Sequence, residues 1–264
     1  MTEPTRIVLA KSWDLAGFDA DAAAYIQRVE WADTTPLESA TRTAINTFVV
    51  GCKADGIWNA IKASCVLAGA RTLAGALMPL VGAAPTNVGP FVSGDYNRKT
   101  GLVADASTKY LHSNRFGNSD PQNSQHMSVY VSTRPTGSNQ KAYMGDASGV
   151  GASYIFYNVS NQNIYTSSRT ANIEEAVGAP THAGLVGISR SGFANYNRRL
   201  SGSTVSLNRT SVAGGNNPIY VFSLGPSFFN GNARLAFYSI GESLDLALLD
   251  TRVTALINAI NVAF

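Results

Sequence analysis

Met127-Ser128-Val129-Tyr130-Val131 sets three apolar side chains, Met127, Val129 and Val131, at every second position. A period of two is the signature of a strand with one buried face, because successive side chains leave opposite sides of the backbone. The same period recurs on both sides of it, at Tyr143, Tyr154-Phe156, Leu185 to Ile188, Val205-Leu207, Ile219-Val221 and Leu235-Phe237. Turn-forming clusters separate these runs: Ser113-Asn114, Arg134-Pro135-Thr136-Gly137, Gly149 to Gly151, Ser160-Asn161, Ser201-Gly202 and Gly214 to Pro218. Many short strands at close spacing, with no helices between them, predict an antiparallel sandwich or jelly roll and exclude a parallel α/β sheet.

Upstream of this region the period changes. Of 21 asparagines only Asn46 and Asn59 precede residue 86, so the turn-rich part begins near Gly82 to Pro90. The division expected is a helical region over 1–85 and a sandwich with a closing helix over 86–264. Thr35-Pro36-Leu37-Glu38 reads as a helix start, with Thr35 as cap, proline in the first turn and Glu38 completing a capping box. From there to about Lys53, Leu37, Ala40, Ala44, Ile45, Phe48, Val49 and Cys52 form one apolar stripe. A shorter helix is expected over Asp21 to Trp31 with Asp19 as cap, and a helical turn or two over Ile57 to Ala63. At the far end Ser243 is expected to cap a helix carrying Leu249, Val253, Leu256, Ile257 and Ile260 inward.

The chain has 264 residues, of which 45% are hydrophobic and only 14% charged, so uncharged polar groups must carry the surface. A net charge of +3 is too small to drive binding to nucleic acid or to a membrane. Arg190, Arg198, Arg199 and Arg209 accordingly read as a solvated strand edge. Cys52 and Cys65 lie in an apolar stretch and are expected as buried, reduced thiols. The opening residues meet Trp13 and Asp14 after a short apolar run, unlike an export signal, and no apolar run is long enough to span a membrane.

No motif for catalysis emerges. The phosphate-cradling glycine loop and the zinc helix are absent, and His112, His126 and His182 lack ligand-spaced neighbours, so neither a metal nor a cofactor is expected. Sugar hydrolysis needs two carboxylates facing one cleft. Glu174-Glu175 would face opposite sides of a strand, and Glu242 and Asp245 flank a helix start, which leaves only a cross-strand pair such as Asp105 with Asp146. Binding is the more open class. Tyrosines, asparagines and an acid on loops can hold a glycan, and the candidates are Tyr143 and Asp146 in one segment and Asn195 and Tyr196 in another.

Two stretches carry a resemblance. FVVGCKADGIWNAIKASCVLAGARTLAGALMPLVG (48–82), with FVSGDYNRKTGLVADASTKYLHSN (91–114) after it, resembles a block found in bacteriophage virion proteins, tail and fibre proteins among them. ARLAFYSIGESLDLALLDTRVTALINAI (233–260) resembles the last strand and closing helix of concanavalin A-like, laminin-G-like domains of phage structural proteins. Together they cover under half of the chain, and the metal-binding and sugar-binding residues of legume lectins have no counterpart. The resemblance implies a mainly β, concanavalin A-like jelly roll in a non-enzymatic component of a phage exterior: fibre, tail appendage or capsid decoration. Its expected partners are other virion proteins, further copies of itself, with a trimer favoured, and a host-surface glycan; it would be assembled in the host cytoplasm and carried on the virion. A glycan-cleaving depolymerase and a carbohydrate-binding module are the alternatives.

Overall fold

A computed structural model describes residues 15–171, 175–226 and 228–264. Trp13, Asp14 and Glu174 lie outside the described residues. Two antiparallel sheets face each other. One is built from β1 (Ile61–Val66), β3 (Tyr96–Asn97), β4 (Gly101–Val103), β6 (Gln125–Thr133), β11 (Gly184–Arg190), β12 (Asn195–Leu200), β13 (Ser203–Asn208) and β15 (Arg234–Gly241). The other holds β2 (Thr86–Val88), β5 (Tyr110–Phe116), β7 (Gln140–Gly145), β8 (Ser153–Asn158), β9 (Asn163–Ser168), β10 (Glu175–Gly178) and β14 (Pro218–Val221). Their orders are β13-β12-β11-β6-β15-β4-β3 and β10-β9-β8-β7-β14-β5-β2, and β1 shares with β4 the far side of β15.

The alternation read from Met127-Val129-Val131 holds. These three side chains are fully buried between the sheets with Tyr143, Ile155, Val186, Ile188, Val221 and Ile240. The opposite face of the eight-stranded sheet carries a second core. There α1 (Ala20–Asp33), α2 (Ser39–Ala54) and α4 (Leu246–Asn261) pack over Leu185, Ala236 and Phe237, with α3 (Leu73–Ala76) beside α1. A register shift in β15 between Leu235 and Phe237 turns two successive residues, Ala236 and Phe237, to the helices. Phe237 meets Phe48 edge to face at 5.9 Å. The α2 stripe is thus covered within the chain by α4 and the sheet. No helix among the described residues is long and apolar enough to cross a membrane.

Several local expectations are corrected. Thr35 does not cap α2, which begins at Ser39 with Glu38 at the cap position and no side-chain cap bond. The Glu38 carboxylate is drawn away to Arg71 (3.2 Å) and Arg98 (2.7 Å), a tertiary pairing that outweighs the local box. Asp19 does cap α1. Asp245, not Ser243, caps α4, accepting Ala247 N at 2.7 Å, while Ser243 pairs with Ser124. Beyond a three-residue 3-10 turn, the helix expected over Ile57 to Ala63 gives way to β1, so the stretch before residue 86 supplies a strand to the sandwich. A short apolar run satisfies either period, and the open side of β15 decides. Ser113-Asn114 lies inside β5, where Asn114 takes φ 58° opposite a break in the β14 register.

Cys52 and Cys65 are free and buried in different cores, Cys52 under the helices and Cys65 between the sheets. Burial pushes both thiols up to about 12. The native protein at pH 8 is therefore expected to resist alkylation at both, and to take up two labels once unfolded in denaturant. Rapid labelling of either thiol in the native state would show that its core opens.

Candidate binding site

The outer face of the seven-stranded sheet carries the aromatic groups that the helices do not cover. On β8 the period of two sends Ile155 and Tyr157 into the core and Tyr154 and Phe156 outward. Across the Ser160-Asn161 turn, Tyr165 of β9 stands opposite Phe156, and the rings stack at 4.9 Å and 9°. Tyr154 lies 5.6 Å from Phe156 on its other side.

The connection from β14 to β15 completes the site. It brings Phe229 to 5.4 Å from Phe156 and stacks Phe228 on Phe229 at 4.3 Å and 15°. This loop is held in shape. Ala142 of β7 donates to Phe229 O at 2.7 Å, and the Ser223 hydroxyl sits within hydrogen-bond distance of Phe228 O and Asn230 Oδ1. Phe228 is 45% exposed, an uncommon state for a phenyl ring on a fixed backbone.

Facing Phe228 is the loop that follows β7. Asp146 is fully buried at its base, its Oδ1 accepting Ser148 N and its Oδ2 accepting Ser153 N, both at 3.0 Å. Burial pushes this carboxyl above its usual range, against the opposing pull of those hydrogen bonds and of Arg169. Gly151 closes the loop: its φ is 82° and a Cβ there would stand 2.0 Å from Ala213 O, so no other residue fits. Between the loops lies a pocket of about 310 Å³, lined by Asp146, Gly149, Tyr154, Phe156, Phe228 and Phe229 among others. A larger groove of about 440 Å³ between α2 and α4 is lined by Ala40, Ala44, Ala255, Ala259 and Arg252, the last already held by Asp55. It offers no exposed aromatic face, since Phe48 at its base is buried.

Of the four residues that the sequence put forward, one lies at the pocket. Asp146 is there, buried at its floor. Tyr143 points into the sandwich core with its hydroxyl on His182 Nε2, and Tyr196 is buried with its hydroxyl on Thr166 Oγ1 at 3.1 Å. Asn195 is exposed at the start of β12, on the other sheet. Tyr143, Asn195 and Tyr196 are strand residues, the two tyrosines facing the sandwich core and Asn195 the opposite side of its sheet, whereas Asp146 begins the loop after β7. The reading missed Tyr154, Phe156, Tyr165, Phe228 and Phe229. For Tyr154, Phe156 and Tyr165 the signal was aromatic side chains that the pairing of two strands joined by a short turn puts on one face; Phe228 and Phe229, in the connection from β14 to β15, gave none.

Other candidates for chemistry are engaged elsewhere. Asp105 accepts Ser107, Thr108 and Lys109 N–H groups in its own turn, which holds its carboxyl far below the usual range. Glu242 pairs with Lys62 at 3.0 Å. Among the described residues, no group of three or more His, Cys, Asp or Glu side chains could hold a metal. The arginine cluster is not a solvated edge: Arg190 and Arg198 are buried, and Arg199 is paired with Asp250 of α4 at 2.7 Å.

No protein-family model and no curated protein sequence matches the chain. Solved structures do match. The binding domain of botulinum neurotoxin serotype D superposes with a TM-score of 0.50 at 12% identity, over 75% of this chain and 52% of that one. The receptor binding domain of a botulinum neurotoxin C/D mosaic serotype gives 0.50 at 10%, over 75% and 51%. The CBM40 of a Ruminococcus gnavus IT-sialidase gives 0.41 at 7%, over 61% and 97%. The likeness is one of fold, a jelly-roll sandwich. The chain spans about half the length of the two toxin domains.

Proposed function

We propose that the protein is a glycan-binding, non-enzymatic component of the exterior of a phage particle, and that the pocket between Asp146 and Phe228 holds the sugar. The observation that carries the binding reading is the exposed ring of Phe228, stacked on the half-buried Phe229, over a floor of Tyr154 and Phe156. Pyranose rings present flat C–H faces that stack on aromatic rings. A volume of about 310 Å³ suits one or two sugar residues. The sole charged side chain in the lining is a carboxylate, so the ligand class is a neutral hexose-containing glycan rather than a sialylated or uronic one. The phage setting is supported by the resemblance over 48–82, 91–114 and 233–260, and by a surface carried by uncharged polar residues.

Isothermal titration against neutral and acidic oligosaccharides tests this reading. A neutral glycan is expected to bind, and Phe228→Ala to weaken it about 10-fold, from about 1.4 kcal/mol of stacking. In parallel, host polysaccharide incubated with the protein is expected to release no reducing ends. Failure of every neutral glycan to bind would remove the pocket from the proposal, whereas sugar release lost in Asp146→Asn would establish the depolymerase alternative.

A further inference from the structure

The four outer edges of the two sheets are not alike. β2 has three residues between Pro85 and Pro90, β3 has two, and β10 has four and begins with a glutamate. Shortness, proline and charge are the usual means by which a sheet edge is kept from pairing with another chain. β1, beside β15, is covered on its other side by the Val81 segment, through Ser64 N to Val81 O at 3.0 Å. β13 has none of these protections. Its six residues, Ser-Thr-Val-Ser-Leu-Asn, carry no charge and no proline, pair with β12 in unbroken register, and are exposed at every position but Leu207.

We propose that β13 is the pairing edge of a two-fold homodimer, in which the eight-stranded sheet runs on into that of a second copy. The hairpin fixes which groups are available. Ser201 and Gly202, both at positive φ (50° and 76°), form a two-residue turn between the paired residues Leu200 and Ser203. Ser203, Val205 and Leu207 therefore exchange hydrogen bonds with β12, and the N–H and C=O groups of Thr204, Ser206 and Asn208 point outward. Arg209 Nη1 reaches Asn208 O at 2.9 Å, which leaves that oxygen its second lone pair.

The occupant follows from self-complementarity. An antiparallel second copy centred on Ser206 would set Ser206 against Ser206, Thr204 against Asn208, and Val205 against Leu207. Polar meets polar, the 44% exposed Val205 gains an apolar neighbour, and Arg209 falls opposite Ser203 rather than another cation. The face involved belongs to the sheet opposite the sugar pocket, so dimerisation would leave both pockets open and allow two weak contacts to act together.

Sedimentation velocity across a concentration series tests the edge. The parent protein is expected to move from 27.9 kDa toward twice that mass, and Ser206→Pro, which removes an outward N–H that β12 does not use, to remain monomeric. A second variant guards against misfolding. Under oxidation Ser206→Cys is expected to form a covalent dimer and Thr204→Cys not to, because residues directly opposite in a hydrogen-bonded pair have Cα atoms about 5.5 Å apart, within disulfide reach. The native Cys52 and Cys65 are buried and do not compete. A monomer at every concentration, a trimer, or a dimer in which Thr204→Cys crosslinks as readily as Ser206→Cys would overturn the proposal.

Discussion

Replacing Arg190 with alanine is expected to cost about 3–5 kcal/mol of folding free energy, among the largest effects of any single substitution in the chain. Arg190 ends β11 with none of its surface exposed. Its guanidinium is spent on backbone carbonyls. Nε and Nη2 donate to Ser168 O at 2.9 and 2.7 Å, Nη2 also to Arg209 O at 3.0 Å, and Nη1 to Gly192 O, Phe193 O and Asn195 O at 3.0 to 3.2 Å. These acceptors come from β9 in one sheet and from the ends of β12 and β13 in the other, so a single side chain ties the sheets together at this corner. The Tyr196 ring lies 5.5 Å from the cation. Alanine would take the guanidinium donors from all five carbonyls; Phe193 O keeps Ser211 N at 2.8 Å, but Ser168 O loses two bonds in a buried site, and each group left unpaired there costs about 1–3 kcal/mol before relaxation. Lysine restores the charge without the planar fork that fits this many acceptors. Thermal unfolding is expected to show Arg190→Ala melting about 6–20 °C below the parent, if it folds, with Arg190→Lys and Arg190→Met also well below it. A methionine variant as stable as the parent would show that these bonds only offset the desolvation of the charge.

Arg190 also marks where the sequence stops being informative. The sandwich was legible because strand alternation is a local property, written in Met127-Val129-Val131 and its repeats, and the closing helix because its stripe is periodic. The positions that defied the reading are those decided by a distant partner. Arg190 resembles any surface arginine until a turn delivers carbonyls to it, and Arg198 until its burial is seen. Glu38 looks like part of a capping box until Arg71 and Arg98 arrive from other segments. The candidate pocket escaped the sequence for a related reason. Polar loops were searched for a sugar site, whereas the pocket rests on strand aromatics whose exposure depends on which face of which sheet the helices cover. Asp146 was found because an acid in one segment with a tyrosine suits a glycan site on a loop, yet its burial was not.

Between pH 7.5 and pH 5 the protein is expected to lose about 2 kcal/mol of stability through His126 alone. This side chain, at the second position of β6, is fully buried under the helical layer between two acceptable partners. Its Nδ1 lies 2.6 Å from Glu242 O, which can only accept, so Nδ1 carries the proton, and Nε2 accepts from the Ser239 hydroxyl at 2.5 Å. The neutral ring is fully satisfied. A second proton would force Ser239 to turn its hydroxyl and would leave a charge in a site without a carboxylate partner. Burial accordingly pushes the imidazole down to about 4, with the Glu242 carbonyl pulling weakly the other way. The unfolded chain has an ordinary histidine near 6.5. A depressed histidine contributes fully above the unfolded value, and the contribution drains away as pH falls from about 6.5 toward about 4. At about 1.36 kcal/mol per pH decade the whole span is worth about 3 kcal/mol, of which pH 5 has removed about two-thirds. Burial lowers His182 as well, which adds loss of the same sign in both proteins compared below. The lowered carboxylates Asp19 and Glu38 remain ionised through most of this window and titrate below it. His126→Asn keeps an N–H donor for Glu242 O and has nothing to titrate. Urea unfolding at pH 7.5 and pH 5 is expected to show a fall for the parent about 2 kcal/mol larger than for this variant, and equal falls would place the proton uptake elsewhere.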